Sequence, residues 1–171
     1  GSRCTRNCRF CNVIPGHPLP PDPEEPENVA AAVERLGLRH VVLTCPTRDD
    51  LTDGGAAHFA AVLEAIRSRC PGTTVETLIS DMQGNTAALD VIVAARPEVL
   101  NHNVETVRAL QGAVRPQADY RRSLDVLRYC KKKEPALLTK TGFMVGLGET
   151  EEQIEELLDD VLAVGVDILT I

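Results

Sequence analysis

The sequence predicts an α/β fold in which helices cover a parallel β-sheet. Five short apolar segments have the composition of buried strands, and a segment of helical periodicity precedes each of them. The units recur about every 30 residues, a spacing that fits right-handed crossovers between parallel strands. An eight-unit barrel needs about 250 residues. The 171 residues here therefore leave room for a partial parallel (β/α) barrel or an open doubly wound sheet.

The first unit follows a proline-rich loop. Residues 15–26, PGHPLPPDPEEP, hold six of the eleven prolines, which cannot donate a backbone N–H to a helix or ladder. A helix is predicted from Pro26 to a stop at Gly37, with an apolar face formed by Val29, Val33 and Leu36. The segment HVVLT, residues 40–44, is the first predicted buried strand.

Four further units follow in the same order. The predicted helices cover 53–72, 86–97, 118–135 and 150–165, and the strands after them cover 74–79, 98–103, 137–146 and 166–171. The apolar helix faces are formed by Phe59, Val62, Leu63 and Ile66, by Tyr120, Leu124 and Leu127, and by Ile154, Leu157, Leu158, Val161 and Leu162. Thr150 and Gln153 have the spacing of a capping box at the start of the last helix.

Composition and charge argue against several classes of protein. The contents of 43% hydrophobic and 25% charged residues are ordinary for a folded chain. A formal net charge of -7 argues against a nucleic-acid binder or a binder of anionic membranes, which need a basic face. No apolar run approaches the roughly 20 residues that span a bilayer. We expect a cytoplasmic protein, or one of the mitochondrial matrix if the source is eukaryotic.

Three of the six cysteines lie within the eight residues CTRNCRFC. Disulfides are disfavoured, because a chain of this length needs no covalent staples and three close thiols suit a metal better. A structural zinc site needs four ligands, and His17 is the nearest residue that could complete such a site. An iron–sulfur cubane held by Cys4, Cys8 and Cys11 leaves one iron open to an outside ligand. The spacing favours the cluster and leaves zinc as an alternative.

Polar residues gather where the predicted strands end. They occupy 44–50, Asp81, 101–106 and 146–149. The carboxyl ends of parallel strands meet at one edge of a sheet, which is where α/β proteins place their sites. The sequence therefore predicts the working end of the molecule there.

The cysteine loop, with Phe10 before the last cysteine, is similar to the cluster loop of the radical S-adenosylmethionine superfamily. Within that superfamily, CTRNCRFCNV, TRDDLTDGGAAHF, NHNVET, VRPQADYRRSL and TKTGFMVGLGET together resemble the lipoyl synthase family along nearly the whole chain. The resemblance implies a 4Fe-4S cluster, S-adenosylmethionine and a partial barrel of the radical SAM type. It also implies a sulfurtransferase activity that inserts two sulfur atoms into an octanoyl chain on a carrier protein, to form lipoyl cofactor.

The resemblance also implies partners. The carrier is a lipoyl domain or a glycine-cleavage H protein, and a reductant such as flavodoxin or ferredoxin supplies electrons. Cleavage of S-adenosylmethionine would yield a 5′-deoxyadenosyl radical that removes hydrogen from the octanoyl chain.

Residue roles follow from the same resemblance. Cys4, Cys8 and Cys11 are the cluster ligands and Phe10 packs near the adenine. Asn103 and Glu105 suit a ribose diol, and a loop cap is their structural alternative. Arg115 and Lys140 are candidates for the carboxylate of the ligand, and ordinary ion pairing is the alternative for both. Gly146 and Gly148 permit close backbone approach to a cofactor.

The chain departs from the family pattern at both ends. Only three residues precede Cys4, where the family has an apolar strand, and the chain ends inside a predicted strand at Ile171. No CxxxxCxxxxxC triplet is present to hold the auxiliary 4Fe-4S cluster of the full-length family. We therefore expect a single incomplete core domain over 1–171, truncated at both ends. A cluster-binding and proline-rich loop occupies 1–25 and repeated α/β units occupy 26–171.

Two other interpretations remain open at this point. One is a different radical enzyme, related to biotin synthase, that acts on another unactivated carbon. The other is a metal-binding or scaffold protein without catalysis. Brown colour and reductive cleavage of S-adenosylmethionine after anaerobic reconstitution would separate the enzymes from the scaffold.

Overall fold

A parallel five-stranded sheet forms the centre of the structure. The computed structural model describes residues 2–171, and Gly1, the first residue of the predicted cluster loop, lies outside the described residues. The strands lie in the order β3 (His40–Thr44), β4 (Thr74–Leu78), β5 (Val99–Asn101), β6 (Leu138–Gly142) and β7 (Ile168–Thr170), all parallel. The α/β class and the parallel sheet predicted from the sequence are confirmed.

Each strand of this sheet is preceded by a helix, as the repeated units predicted. The helices are α1 (Glu25–Leu36), α2 (Ala56–Arg69), α3 (Thr86–Ala94), the short α4 (Gln111–Val114), α5 (Tyr120–Lys133) and α6 (Glu151–Ala163). Asn85 caps α3 by accepting hydrogen bonds from two backbone N–H groups, and Thr150 and Gln153 form the predicted capping box of α6. The helix α4, between the predicted strand at 98–103 and the predicted helix at 118–135, was not predicted.

The strand order follows the chain order, so the carboxyl ends of all five strands meet at one edge. Thr44, Leu78, Asn101, Lys140 and Ile168 lie in one register row near that edge. Over residues 2–171 the sheet has β3 and β7 as its two outer strands and does not close into a barrel. The loops that follow β3, β4, β5 and β6 therefore share one end of the molecule, as the sequence predicted.

The helix faces that form the core were mostly predicted. The whole predicted faces of α2 and α5 are buried, and Leu157 and Val161 of α6 are buried with them. Leu36 of α1 and Leu162 of α6 were wrongly assigned to the core, because they are 68% and 72% exposed. Both lie in the last turn of a helix that precedes an outer strand, where the sheet offers fewer neighbours. For the same reason the prediction of a buried strand at residues 40–44 was wrong, because β3 is an outer strand whose residues are half-buried or exposed.

The first residues form a small unit of their own. The strands β1 (Arg3–Cys4) and β2 (Ile14–Pro15) pair in parallel, and the Gly16 N–H donates to the Cys4 carbonyl over 2.8 Å. This pairing closes residues 5–13 into a loop. None of the helices in the described residues is both long and apolar enough to cross a membrane.

Candidate functional site

A loop with three cysteines lies over the carboxyl end of the sheet. Cys4 and Cys8 are half-buried, Cys11 is exposed, and all three are free thiols. Hydrogen bonds from backbone N–H groups anchor the loop to distant segments. Thr5 donates to the Thr47 carbonyl at 3.1 Å and Arg9 to the Val114 carbonyl at 2.9 Å, so the loop is attached both to the connection after β3 and to the end of α4.

Backbone groups within the loop also approach the sulfur atoms. The Arg6 N–H lies 3.4 Å from Cys4 Sγ, and the Val13 N–H lies 3.5 Å from Cys11 Sγ. Phe10, between Cys8 and Cys11, is 41% exposed. Its predicted place near an adenine is not tested by these contacts and stays a prediction.

Arg115 connects the cysteine loop with the segment after β5. Its guanidinium is buried, and Nη1 donates to the carbonyls of Asn103 and Val104 at 3.2 and 3.1 Å. Burial raises the pKa of the Cys8 thiol, the charge of Arg115 beside it lowers that pKa, and the Cys4 and Cys11 thiols raise it further. Arg115 thus stands between a cysteine and the NHNVET segment.

Asn103 and Glu105 follow β5, as the sequence predicted. Glu105 has a left-handed backbone, with φ of 67°, and its N–H donates to the Gly142 carbonyl at 2.9 Å. Burial raises the pKa of the Glu105 carboxyl, while the Arg115 charge and a hydrogen bond from Asn103 partly offset that rise. A Cβ at Gly142 would stand 3.1 Å from Asn103 Oδ1, so glycine leaves room for the amide. The loop, Asn103, Glu105 and Arg115 are therefore brought together.

Lys140 lies in β6 and its amine has a partner within the sheet. Nζ is 3.1 Å from both carboxylate oxygens of Glu76 in β4. The Asn101 amide also donates to Glu76 Oε1, at 2.8 Å. The structural alternative considered for Lys140, an ion pair, is thus formed. The predicted role toward a ligand carboxylate stays a prediction for Lys140 and for Arg115.

Gly146 and Gly148 occupy an exposed turn after β6. Their φ angles are 94° and 107°, and the Glu149 carboxylate accepts hydrogen bonds from the N–H groups of Gly146 and Leu147. A Cβ at either glycine would meet no atom within 4 Å. Backbone conformation therefore requires these glycines, and their predicted closeness to a cofactor remains a prediction.

Four residues at this end of the sheet were not singled out from the sequence as site residues: Arg6, Asp81, His102 and Arg122. Arg6 forms ion pairs with Asp49 and Asp81, and Arg122 also contacts Asp81. Buried His102 donates from Nδ1 to the Ile79 carbonyl, 2.9 Å away. The available signals were a charged residue between two candidate ligands, for Arg6, and an acid directly after a strand, for Asp81.

His17, the residue considered for zinc, lies in a different place. It lines a cavity of about 470 Å³ together with Cys45, Glu25 and His58, and the lining residues do not include Cys8 or Cys11. Within residues 2–171, no three His, Cys, Asp or Glu side chains lie close enough together to hold a single metal ion.

Comparison with known protein families assigns this chain to a superfamily. The model of the radical SAM superfamily matches residues 1–161. The chain belongs to the radical SAM superfamily. Among solved structures, methylornithine synthase has a TM-score of 0.78 at 16% identity, over 99% of this chain and 50% of that one. SuiB of Streptococcus suis, bound to S-adenosylmethionine, has a TM-score of 0.69 at 15% identity, over 99% of this chain and 38% of that one. These two similarities concern the fold.

Curated relatives narrow the comparison within the radical SAM superfamily. Lipoyl synthase of Caldanaerobacter subterraneus is 55% identical over all 171 residues, which span 60% of that protein. Lipoyl synthase of Oleidesulfovibrio alaskensis is 54% identical, also over the whole chain and over 58% of its own length. The chain thus spans about three fifths of the length of these relatives.

Membership of the radical SAM superfamily implies a 4Fe-4S cluster and S-adenosylmethionine as cofactors. The cysteine loop fits such a cluster. It offers three free thiols, two of them near backbone N–H donors and the third beside a guanidinium. Hydrogen bonds and charges of this kind stabilise cluster sulfurs and set the potential of iron–sulfur sites.

Proposed function

We propose that these 171 residues are the radical core of a lipoyl synthase. The observation that carries the proposal is the three-cysteine loop, held by hydrogen bonds over the strand ends beside Asn103 and Glu105. The 55% identity to a lipoyl synthase over every residue of the chain supports the same conclusion. The proposed reaction is the insertion of two sulfur atoms into an octanoyl chain carried by a protein lysine.

Cys4, Cys8 and Cys11 would hold the 4Fe-4S cluster, with one iron left for S-adenosylmethionine. When bound, these cofactors supply the chemistry, since an electron from the cluster cleaves S-adenosylmethionine to a radical that removes hydrogen from an unactivated carbon. The chain binds and orients the reactants. Asn103 and Glu105 offer an amide and a carboxylate to the two ribose hydroxyls, and the buried Val104 and Phe143 exclude water beside them.

The partners belong to the same proposal. The octanoyl chain would reach the strand ends on a lipoyl domain or a glycine-cleavage H protein, and flavodoxin or ferredoxin would supply electrons. The lipoyl synthase relatives support this assignment. We propose a cytoplasmic setting, or the mitochondrial matrix if the source is eukaryotic.

The cluster assignment is tested by cysteine replacement. The wild-type chain, reconstituted anaerobically with iron and sulfide, is expected to hold about four irons and four sulfides. Cys4→Ala, Cys8→Ala and Cys11→Ala should each lose most of this iron and all reductive cleavage of S-adenosylmethionine.

Two other cysteines provide matched controls. Cys70 is half-buried and Cys130 lies in an apolar cluster with α3, so Cys70→Ser and Cys130→Ala should keep the wild-type iron content. Production of 5′-deoxyadenosine by Cys8→Ala at the wild-type rate would refute the ligand assignment.

A further inference from the structure

Arg6 lies between two of the cysteines, and its side chain is buried. It is 4% exposed, which is rare for an arginine without partners. Its guanidinium makes two hydrogen bonds to each of two carboxylates. Asp49 accepts at 2.6 and 2.9 Å, and Asp81 accepts at 3.0 and 2.5 Å.

The two carboxylates come from the segments that follow two neighbouring strands. Asp49 lies in the loop after β3, and Asp81 lies just beyond the end of β4. Asp81 is fully buried and also accepts from the Gln83 N–H at 3.0 Å and from Arg122 at 3.3 Å. Two guanidinium groups thus balance two carboxylates, which is the condition under which charges are tolerated in a protein interior.

The charge state of Asp81 fits this arrangement. Burial alone would raise the pKa of its carboxyl, but the hydrogen bonds and charge of Arg6, together with the hydrogen bond from the Gln83 N–H, hold that pKa below its ordinary value. Asp81 therefore stays ionised at neutral pH, and the bonds to Arg6 are charge-assisted.

The backbone of Arg6 links this ion network to a cysteine. Its N–H lies 3.4 Å from Cys4 Sγ. On either side of it, the Thr5 N–H donates to the Thr47 carbonyl at 3.1 Å and the Asn7 N–H donates to Gln117 Oε1 at 2.6 Å. Fixing the Arg6 side chain between Asp49 and Asp81 therefore fixes the middle of the segment from Cys4 to Cys8.

We propose that Arg6 is a positioning residue that holds the three-cysteine loop on the ends of β3 and β4, in the shape that accepts the cluster. The inference rests on the proposed function only in taking Cys4, Cys8 and Cys11 as the cluster ligands. Arg6 acts through the loop and not on the reacting atoms. Its ordering of the loop precedes cluster binding, so the effect is measurable in the metal-free chain.

The test compares amide hydrogen exchange in metal-free wild type and Arg6→Gln, followed by NMR. The amides of Thr5, Asn7 and Arg9 are expected to exchange at least about tenfold faster in the variant, because local opening of the loop becomes easier. Amides of β4 and β5 should keep their wild-type rates. After reconstitution, the variant should hold less than half of the wild-type iron and sulfide.

Arg9→Gln is the matched control. Arg9 is exposed in the same loop, and the hydrogen bond to Val114 comes from its backbone and not from its guanidinium. Its loop exchange rates and iron content should equal those of wild type. Wild-type exchange at Thr5, Asn7 and Arg9 in Arg6→Gln would overturn the proposal, whatever the iron content.

Arg6→Lys is a second variant, to be used if Arg6→Gln does not fold. Lysine keeps the charge between the two aspartates but lacks the planar fork that binds both of them. Faster exchange of the loop amides with intact protection of β4 and β5 supports the positioning role, and unchanged loop exchange overturns it. A wild-type chain that binds no cluster would refute the ligand assignment of the proposed function, whereas loop exchange alone decides whether Arg6 orders the loop.

Discussion

At the scale of single residues, a substitution of Glu105 gives the most direct test of the proposed function. Its carboxyl is partly buried, its pKa is raised by that burial, and Arg115 lies close to it. Glu105→Ala is expected to weaken binding of S-adenosylmethionine by an amount on the order of 1–3 kcal/mol, because two ligand hydroxyls lose their acceptor. Calorimetry on the reconstituted proteins measures the difference.

The control for that measurement is Glu64→Ala. Glu64 is exposed on α2, away from the strand ends, and its loss should leave the affinity unchanged. Iron content should be the same in both variants. Equal affinity of Glu105→Ala and wild type would show that the NHNVET segment is only structural.

His102 predicts a pH dependence of stability. It is 1% exposed, and its pKa is lowered to about 4, first by burial and then by the charge of Arg115. Between about pH 6.5 and pH 4, His102 is therefore protonated in the unfolded chain but neutral in the folded chain. The free energy of unfolding falls as the pH drops through this range. The loss from this group is on the order of 3 kcal/mol, and it levels off below the folded pKa.

The comparison variant for this effect is His102→Asn. An asparagine amide can still donate to the Ile79 carbonyl but has no proton to gain in this range. Urea unfolding at several pH values should therefore show a smaller slope between pH 6.5 and 4 in the variant. An unchanged slope would mean that His102 is protonated in the folded state as readily as in the unfolded one.

At the scale of elements, Lys140 has two possible roles, which a substitution can distinguish. It stabilises the sheet through an ion pair, or it binds the carboxylate of the ligand. Its amine binds Glu76 across β5, and the two side chains are 24% and 6% exposed. Lys140→Met leaves a buried carboxylate without its cation. It should cost about 2 kcal/mol of stability, less than the 3–5 kcal/mol typical of a fully buried pair, because Lys140 keeps some contact with water.

The double variant Glu76→Gln/Lys140→Met should recover most of that loss, since the glutamine oxygen can still accept from Asn101. Urea unfolding of the two variants and wild type measures both effects. If Lys140→Met kept its stability and instead lost affinity for S-adenosylmethionine, the ligand role predicted from the sequence would be supported over the structural one.

Periodicity predicted the elements well and the partners of polar residues poorly. The apolar faces of α2 and α5 were predicted from apolar spacing alone, because burial against a sheet imposes that spacing. The position of the strand His40–Thr44 was also predicted, but its burial was not: Val42 is 49% exposed. Leu36 and Leu162 have the same spacing but lie where the sheet ends. The salt bridge from Arg6 to Asp81 joins residues 75 positions apart, and no local pattern encodes such a contact.

At the scale of the whole molecule, the sheet, the loop and the ion network form one end, where we propose that the cofactors bind. The cysteines contribute thiols, the segment after β5 contributes Asn103 and Glu105, and Arg6 and Arg115 connect the loop to the strand ends. The sequence predicted Asn103 and Glu105 at this end because the carboxyl ends of parallel strands must meet. It did not predict the position of the cysteine loop or the partners of Arg6 and Arg115, because both depend on how the loops fold back.

The six cysteines predict a limit on what the 171 residues do by themselves. Sulfur insertion consumes two sulfur atoms, and the family resemblance assigns them to an auxiliary cluster held by a CxxxxCxxxxxC triplet that this sequence does not contain. Beyond the loop, Cys45 lines the cavity with His17, Cys70 caps α2, and Cys130 is buried among α3 and α5 residues. These three thiols lie in separate places and are poorly suited to bind a second cluster together.

We therefore expect the reconstituted chain to cleave S-adenosylmethionine slowly and to leave an octanoylated lipoyl domain without added sulfur. Mass spectrometry of the carrier, after incubation with reductant and S-adenosylmethionine, measures the outcome. A Cys8→Ala chain, treated in the same way, gives the background level of 5′-deoxyadenosine and of sulfur on the carrier. A gain of two sulfur atoms by the carrier would contradict the expectation and would require Cys45, Cys70 or Cys130 to take part in sulfur donation, despite the raised pKa of about 11 that burial gives the Cys45 thiol.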